Sequence, residues 1–310
     1  METPGDLLRQ TSIIVCTVDR PADLDRCLES LRAFQSGGAE VVVVNNGPQL
    51  AGVEKIAAPH GAKVVSELRR GVSRARNAGV RAAAGSVLAF LDDDSVADAQ
   101  WLPLLLNPLQ DPRVLAVAGS IFPQTLADPV SRTFDDLHRA QFPESLVIVD
   151  GSAHTNSFPL RSALVGNANM AIRRVAFERF GYFDTRFGRG TRIGSGEEPD
   201  FLLRILLGGA KVAVEPAARI LHRHSTDWRA VRRWSFHSGC AHTAILAKYF
   251  FREPARRGQI LRYVTSRLGG RGGSDIAQAG RHKPPRLPFL FGSLYGPLAF
   301  LLSGKEAPAR

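Results

Sequence analysis

Short apolar runs closed by polar tips alternate with segments of helical period through the first hundred or so positions. Thr11 to Thr17 reads as a compact strand that stops at Asp19-Arg20-Pro21, after which Leu24, Cys27, Leu28 and Leu31 recur at the spacing of a helix face. Val41 to Val44 predicts a second strand feeding the turn signal Asn45-Asn46-Gly47-Pro48, and Lys63-Val64-Val65 a short third. A basic, glycine-flanked segment, Arg70 to Gly79, opens an alanine-rich helix expected to run to Ala84. Leu88 to Leu91 then enters Asp92-Asp93-Asp94 with no polar residue between. Alternation of this kind implies βαβ units: a Rossmann-like α/β fold with a mostly parallel sheet and helices on both faces. Ligands of such sheets lie beyond the carboxyl ends of the strands, so the tips Thr17 to Arg20, Asn45-Asn46 and Asp92 to Asp94 should share one crevice.

Adjacent carboxylates repel one another, and a cation that neutralises them favours their common ionisation; hard oxygen donors of this type suit Mg²⁺ or Mn²⁺. If the strand continues, alternation puts Asp92 and Asp94 on one side and Asp93 on the other. A solvated turn is the plainer alternative. Arg74 and Arg76 can fork onto phosphate oxygens, and Asn45 can read a base or ribose edge. The chain shows neither the dinucleotide glycine fingerprint after its first strand nor a Gly-x-x-x-x-Gly-Lys loop. The expected ligand is therefore a nucleoside diphosphate held through a metal.

In this order and spacing, Thr17-Val18-Asp19-Arg20, the Val41-to-Gly47 strand and turn, the Ala75-Arg76-Asn77-Ala78-Gly79 core and Asp92-Asp93-Asp94 resemble family 2 glycosyltransferases, inverting enzymes of the GT-A fold. The resemblance runs from Ser12 to about His224. It implies that Thr17, Asp19 and Arg20 line a nucleotide pocket, with Asn45 by the base and Arg76 by base or diphosphate. It further implies that Asp94 holds the metal, with Asp92 near the ribose or at an outer metal position and Asp93 beside them. The implied donor is a nucleotide-diphosphate sugar, of UDP type, and the acceptor a hydroxyl. One departure is Asn45-Asn46, where the family commonly has Asp then Asn; an amide both donates and accepts, which leaves the base open.

Beyond Trp101, prolines at 103, 108, 112, 123 and 129 break the alternation, and a helix is expected near Phe134 to Ala140 in an acceptor-side insertion. Leu164 to Arg174 resembles the family's Gly-x-x-Asn-Met-x-Ile-Arg strand beneath the donor sugar; alternation would turn Asn167 and Asn169 to sugar hydroxyls, with a structural edge strand as the alternative. The glycine-rich run Gly188 to Gly196 is expected to order over bound donor. Glu197-Glu198-Pro199-Asp200 opens a helix marked by Phe201, Leu202, Ile205 and Leu206, where acids are favourable as caps alone. The segment also resembles the family's Glu-Asp-x-Asp, whose second acid is the base. That gives the role to Glu198, one methylene longer than the usual residue, with Asp200 as second candidate. Ala217 to Leu221 predicts a strand ending in His222-Arg223-His224, and a histidine here, His222 before His224, would complete the metal shell.

Charge changes the picture at one end. Lys and Arg outnumber Asp and Glu by 16 to 4 from residue 221 onward, whereas the preceding body is near neutral. The expected organisation is a catalytic domain over 1–225, divided at about residue 100 into nucleotide and acceptor halves, and a basic helical tail over 226–310. That tail could pack on the body, meet a second subunit in a homodimer, or lie on an anionic membrane surface. Three cysteines without metal-ligand spacing and an N-terminus without a signal pattern suggest a cytoplasmic protein, peripheral to the membrane if the tail binds it. Two other classes fit parts of the pattern. A sugar nucleotidyltransferase would carry a glycine-rich basic loop after the first strand, which Asp19-Arg20-Pro21 is not. A nucleic-acid-binding protein would use the tail, but none of the motifs requires one.

Overall fold

Alternation along the first strands sorts their side chains into two layers. In β1 (Thr11–Thr17), Ile14 joins a core with Val42 and Val44 of β2 (Glu40–Asn45), while Ile13 and Val15 join another with Val41 and Val43. The helix Val72–Ala82 covers the first layer with Ala75 and Val80; the helix Pro21–Ser36 covers the second with Leu24, Leu28 and Leu31. Two-sided burial explains why these strands read as unbroken hydrophobics. Gly79 is required where the first of these helices meets the sheet, because a Cβ there would stand 2.4 Å from Ile14 Cγ2. The structure, a computed structural model, describes residues 4–139, 142–154, 157–163, 168–223, 225–268 and 286–304.

Among the described residues one sheet holds nine strands, in the order β3 (Lys63–Ser66), β2, β1, β4 (Val87–Asp92), β8 (Met170–Arg173), β6 (Val114–Pro123), β9 (Lys211–His222) and β5 (Ser95–Ala97), with β7 (Val147–Asp150) also on β9. β3, β2, β1 and β4 are parallel, as the repeating βαβ pattern predicts. Past β4 the sheet is mixed. β8 runs antiparallel between β4 and β6, in the interior rather than at an edge. β9 is parallel to β6 and antiparallel to β5 and β7. The β5–β9 register, Ser95 opposite His222, places a residue from late in the chain beside the acidic turn. The expected helix in the insertion is present as Pro129–Arg139.

The basic tail is not a separate appendage. The helix Trp228–Arg252 contributes Cys240, Ala244, Ile245 and Tyr249 to the first core layer. Its Lys248 is buried, with Nζ 2.7 and 2.8 Å from the two oxygens of Asp200 and 2.8 Å from Asp184 Oδ2. Arg186 also pairs with Asp184, and Arg204 Nε lies 3.2 Å from Asp200 Oδ2. Charges this deep persist because each is paired. Lys248→Met should leave Asp184 paired to Arg186 alone and Asp200 to Arg204 alone, and lower stability by about 3 kcal/mol, read by urea denaturation.

Candidate active site

The sharp end of β4 makes the acidic centre. The strand stops at Asp92, and Asp93 and Asp94 form the turn into β5, so strict alternation ends there. Asp92 and Asp94 come together with His222, whereas Asp93 is held by Thr17 and Arg20. Asp93 Oδ2 accepts a hydrogen bond from Thr17 Oγ1 at 2.7 Å, and its other oxygen lies 3.2 Å from Arg20 Nη1. Arg20 also pairs with Asp94 Oδ2. His222 Nε2 lies 3.0 Å from Asp94 Oδ1. Asp92 is 3.5 Å from Arg76 Nη2.

Environment separates Asp93 from Asp94. Burial raises the Asp93 carboxyl to about 6, partly offset by Thr17 and Arg20 and reinforced by its acidic neighbours. Burial acts on Asp94 in the same direction, but the His222 hydrogen bond and charge, with Arg20 and Arg189, outweigh it and hold that carboxyl well below the usual range. One ligand atom each from Asp92, Asp94 and His222 falls within 4.8 Å of the others. Two carboxylate oxygens and an imidazole nitrogen form a donor set that fits Mg²⁺ or Mn²⁺.

Beside this corner sits a second group of acids. Arg76, buried in the helix Val72–Ala82, directs Nη1 to Glu197 Oε1 at 2.8 Å and Glu198 Oε1 at 2.7 Å. Both glutamates lie in the first turn of the helix Glu197–Leu207, after Gly196 at φ 96°, a left-handed conformation in which glycine leads. Arg76 thus joins the carboxylates of Glu197 and Glu198 to Asp92. Burial and the charge of Glu198 push the Glu197 carboxyl up to about 8, against the opposing pull of Arg76. Because its pKa rises on folding from 4.5 to about 8, the stability that its proton provides is complete at low pH and lost as pH climbs through that window. Thermal melting should therefore fall as pH climbs from about 5 to about 9, and Glu197→Gln should flatten that slope.

A model of glycosyl transferase family 2 matches residues 12–180, which contain β1 to β4, the acidic turn and β8. The chain belongs to this family. It is 28% identical over 253 residues to a pre-mycofactocin glycosyltransferase of Mycobacterium tuberculosis, covering 76% of this chain and 48% of that protein. The chain thus spans about half the length of that relative. It is 27% identical over 241 residues to the glucosyl-dolichyl phosphate glucuronosyltransferase of Haloferax volcanii, covering 72% of this chain and 74% of that one. Among solved structures, its fold is similar to glucosyl-3-phosphoglycerate synthase of Mycobacterium tuberculosis, crystallised with Mn²⁺ and UDP-glucose. That match has a TM-score of 0.54 at 17% identity, over 79% of this chain and 83% of that one. A similar likeness, TM-score 0.52 at 18% identity over 88% and 81%, holds for mannosyl-3-phosphoglycerate synthase from Rubrobacter xylanophilus. These likenesses identify the fold as the α/β architecture expected from the strand pattern.

Of the remaining candidates, Asp200 and Asn169 are taken up by protein partners. Asp200 does not enter the crevice: it is fully buried and both oxygens are taken by Lys248. Asn169 lies just before β8, where Nδ2 donates to the carbonyls of Ser120 and Ala218 and Oδ1 accepts from Trp101 Nε1; it joins β6 to β9 rather than presenting an amide to sugar. Asn45 closes a turn on Gly47, bonding its carbonyl and its N–H. Asp19 is exposed at φ 50° beside Gly47 and does not cap the following helix, whose first turn receives no side-chain bond. Arg74 is half-buried on the first turn of the helix Val72–Ala82, and its charge acts on Glu67. Asn167 and His224 lie outside the described residues.

Two participants were missed. Arg189 carries positive charge toward Asp94, and Glu197 shares Arg76 with Glu198. The doubled acid Glu197-Glu198 was visible in the sequence; the partner it would share was not. Lys248 had only its place in a basic tail, which gives no hint of a buried ion pair.

Proposed function

We propose that the protein transfers a sugar from a nucleoside-diphosphate sugar to an acceptor hydroxyl, with inversion at the anomeric carbon and dependence on Mg²⁺ or Mn²⁺. The supporting observation is the meeting of Asp92, Asp94 and His222 with the Arg76–Glu198 pair at the carboxyl ends of β1 and β4. Asp92, Asp94 and His222 would hold the ion, which when bound supplies positive charge against a departing diphosphate. Arg76 and Arg20 add guanidinium charge at the same place. Thr17 and Arg20 hold Asp93, so the acidic turn is fixed before any ligand arrives. Glu198 would accept the hydroxyl proton as the oxygen attacks from the side opposite the leaving group, a single displacement that needs one base and no enzyme nucleophile.

On this reading residues 1–100 bind nucleotide, 101–225 shape the acceptor side, and Lys248 ties the later helices to the helix that carries Glu198. A relative named glucosyl-dolichyl phosphate glucuronosyltransferase and a neighbour crystallised with UDP-glucose support this substrate class and donor type. Incubation with α-linked UDP-sugars, Mn²⁺ and hydroxyl acceptors should yield a β-linked product by NMR. An α-linked product would overturn the single displacement, and the absence of any transfer across donors would overturn the activity.

A further inference from the structure

The helix Arg286–Leu302 is apolar on both sides, but only one side is covered. Its inner side lies against Trp228–Arg252 so closely that a Cβ on Gly292 would stand 1.9 Å from the Phe236 carbonyl oxygen, and one on Gly296 2.1 Å from Thr243 Oγ1. Its outer side carries Leu287, Leu290, Phe291, Leu294, Leu298 and Leu301 at steps of one helical turn, each more than half exposed, with Leu294 at 70%. Contiguous apolar surface on this scale marks an interaction site. We propose that this side of the helix seats the protein on an anionic lipid surface, lying in the plane of the interface.

Charge selects that occupant. Residues 281–310 carry Arg281, Lys283, Arg286, Lys305 and Arg310 against a single acid, Glu306. Arg286 opens the helix, and in the sequence basic residues outnumber acidic ones on either side of the apolar stripe, a net positive charge that disfavours a second copy of the same segment. Anionic headgroups supply the missing counter-charge while the leucines enter the acyl boundary. Length and packing define the depth: no described helix is long and apolar enough to cross a membrane, and the inner side of this one is already occupied by protein. The element thus rests on the bilayer along about 26 Å, the length of 17 helical residues.

Two side chains of the helix Trp228–Arg252 are committed elsewhere. Lys248 is buried on Asp184 and Asp200, and Trp234 packs edge-on to Phe134 at 6.2 Å. The lipid-facing role falls to the apolar helix, where the exposed large hydrophobic side chains of the tail are concentrated. At its far end, Phe300 packs on Phe187 at 6.3 Å and lies under Arg186 at 4.5 Å. Phe187 immediately precedes the glycine-rich loop, so the seat and the cleft are joined through a few side chains.

The inference is independent of the sugar-transfer reading, because its test involves no turnover. The full chain should co-sediment with vesicles of phosphatidylcholine containing about a quarter phosphatidylglycerol, and bind pure phosphatidylcholine at least about tenfold more weakly. Leu290→Ser/Leu294→Ser/Leu298→Ser, at exposed positions, should keep the wild-type melting temperature and lose at least about tenfold in vesicle affinity. Arg286→Glu should weaken binding to the anionic vesicles and leave the weak binding to pure phosphatidylcholine unchanged. Wild-type protein remaining in the supernatant, or a triple variant that binds as well as wild type, overturns the proposal. A lipid-free dimer in light scattering that the triple variant converts to monomer also overturns it, assigning the surface to a second copy.

Discussion

Asp94→Asn is expected to reduce kcat/KM for sugar transfer by about 10³-fold or more, since metal stabilisation of a departing diphosphate contributes several kcal/mol and each 1.36 kcal/mol is a factor of ten. The substitution preserves shape and removes the charge that faces His222 and Arg20. Asp94 is the appropriate target because its positive neighbours outweigh the effect of burial and hold its carboxyl ionised. A direct readout accompanies the kinetics. Mn²⁺ together with UDP should raise the melting temperature of the wild-type chain by linkage, and Asp94→Asn should remove the Mn²⁺-dependent part. Retention of both the activity and the Mn²⁺ response would mean that the cation, if any, is held elsewhere.

Glu198→Gln should lower kcat by about 10²–10⁴-fold, the usual contribution of a positioned general base, while leaving donor affinity nearly unchanged. Glutamine keeps a side-chain oxygen for Arg76, which Glu198 meets at 2.7 Å, so the guanidinium need not reorganise. Asp200→Asn distinguishes the two acids first considered for this role. Its carboxylate sits against Lys248 and Arg204, so its replacement should lower thermal stability and change kcat only as far as the helix Glu197–Leu207 shifts. The opposite result, a large kcat loss in Asp200→Asn with normal stability and a mild effect in Glu198→Gln, would reverse the assignment.

The parallel half of the sheet was legible because it obeys a local rule. Strands buried on both faces need continuous apolar residues, and the helices between them need a 3.6-residue period; both patterns lie within single segments. The acidic turn was legible for a related reason: carboxylates crowded after an apolar strand are costly unless something positive neutralises them. Their partners were not: Asp94 meets His222 only through the pairing of β5 with β9, more than a hundred residues further along the chain.

Asn169, Asp200 and Lys248 show the same limit from another side. Each is a polar residue whose type suits a ligand site, yet each is buried among partners from distant segments: Asn169 with Trp101, Ser120 and Ala218, and Asp200 with Lys248. A buried polar group must find a partner to offset its lost hydration, and packing alone determines whether that partner is protein or ligand. The sequence by itself determined the order of the first strands and helices, the crevice at their carboxyl ends and the residue types gathered there. Tertiary structure decided which of those residues face the crevice and which are consumed holding the molecule together, because hydrogen bonds and ion pairs are short-ranged and form only between groups that the fold brings within about 3 Å.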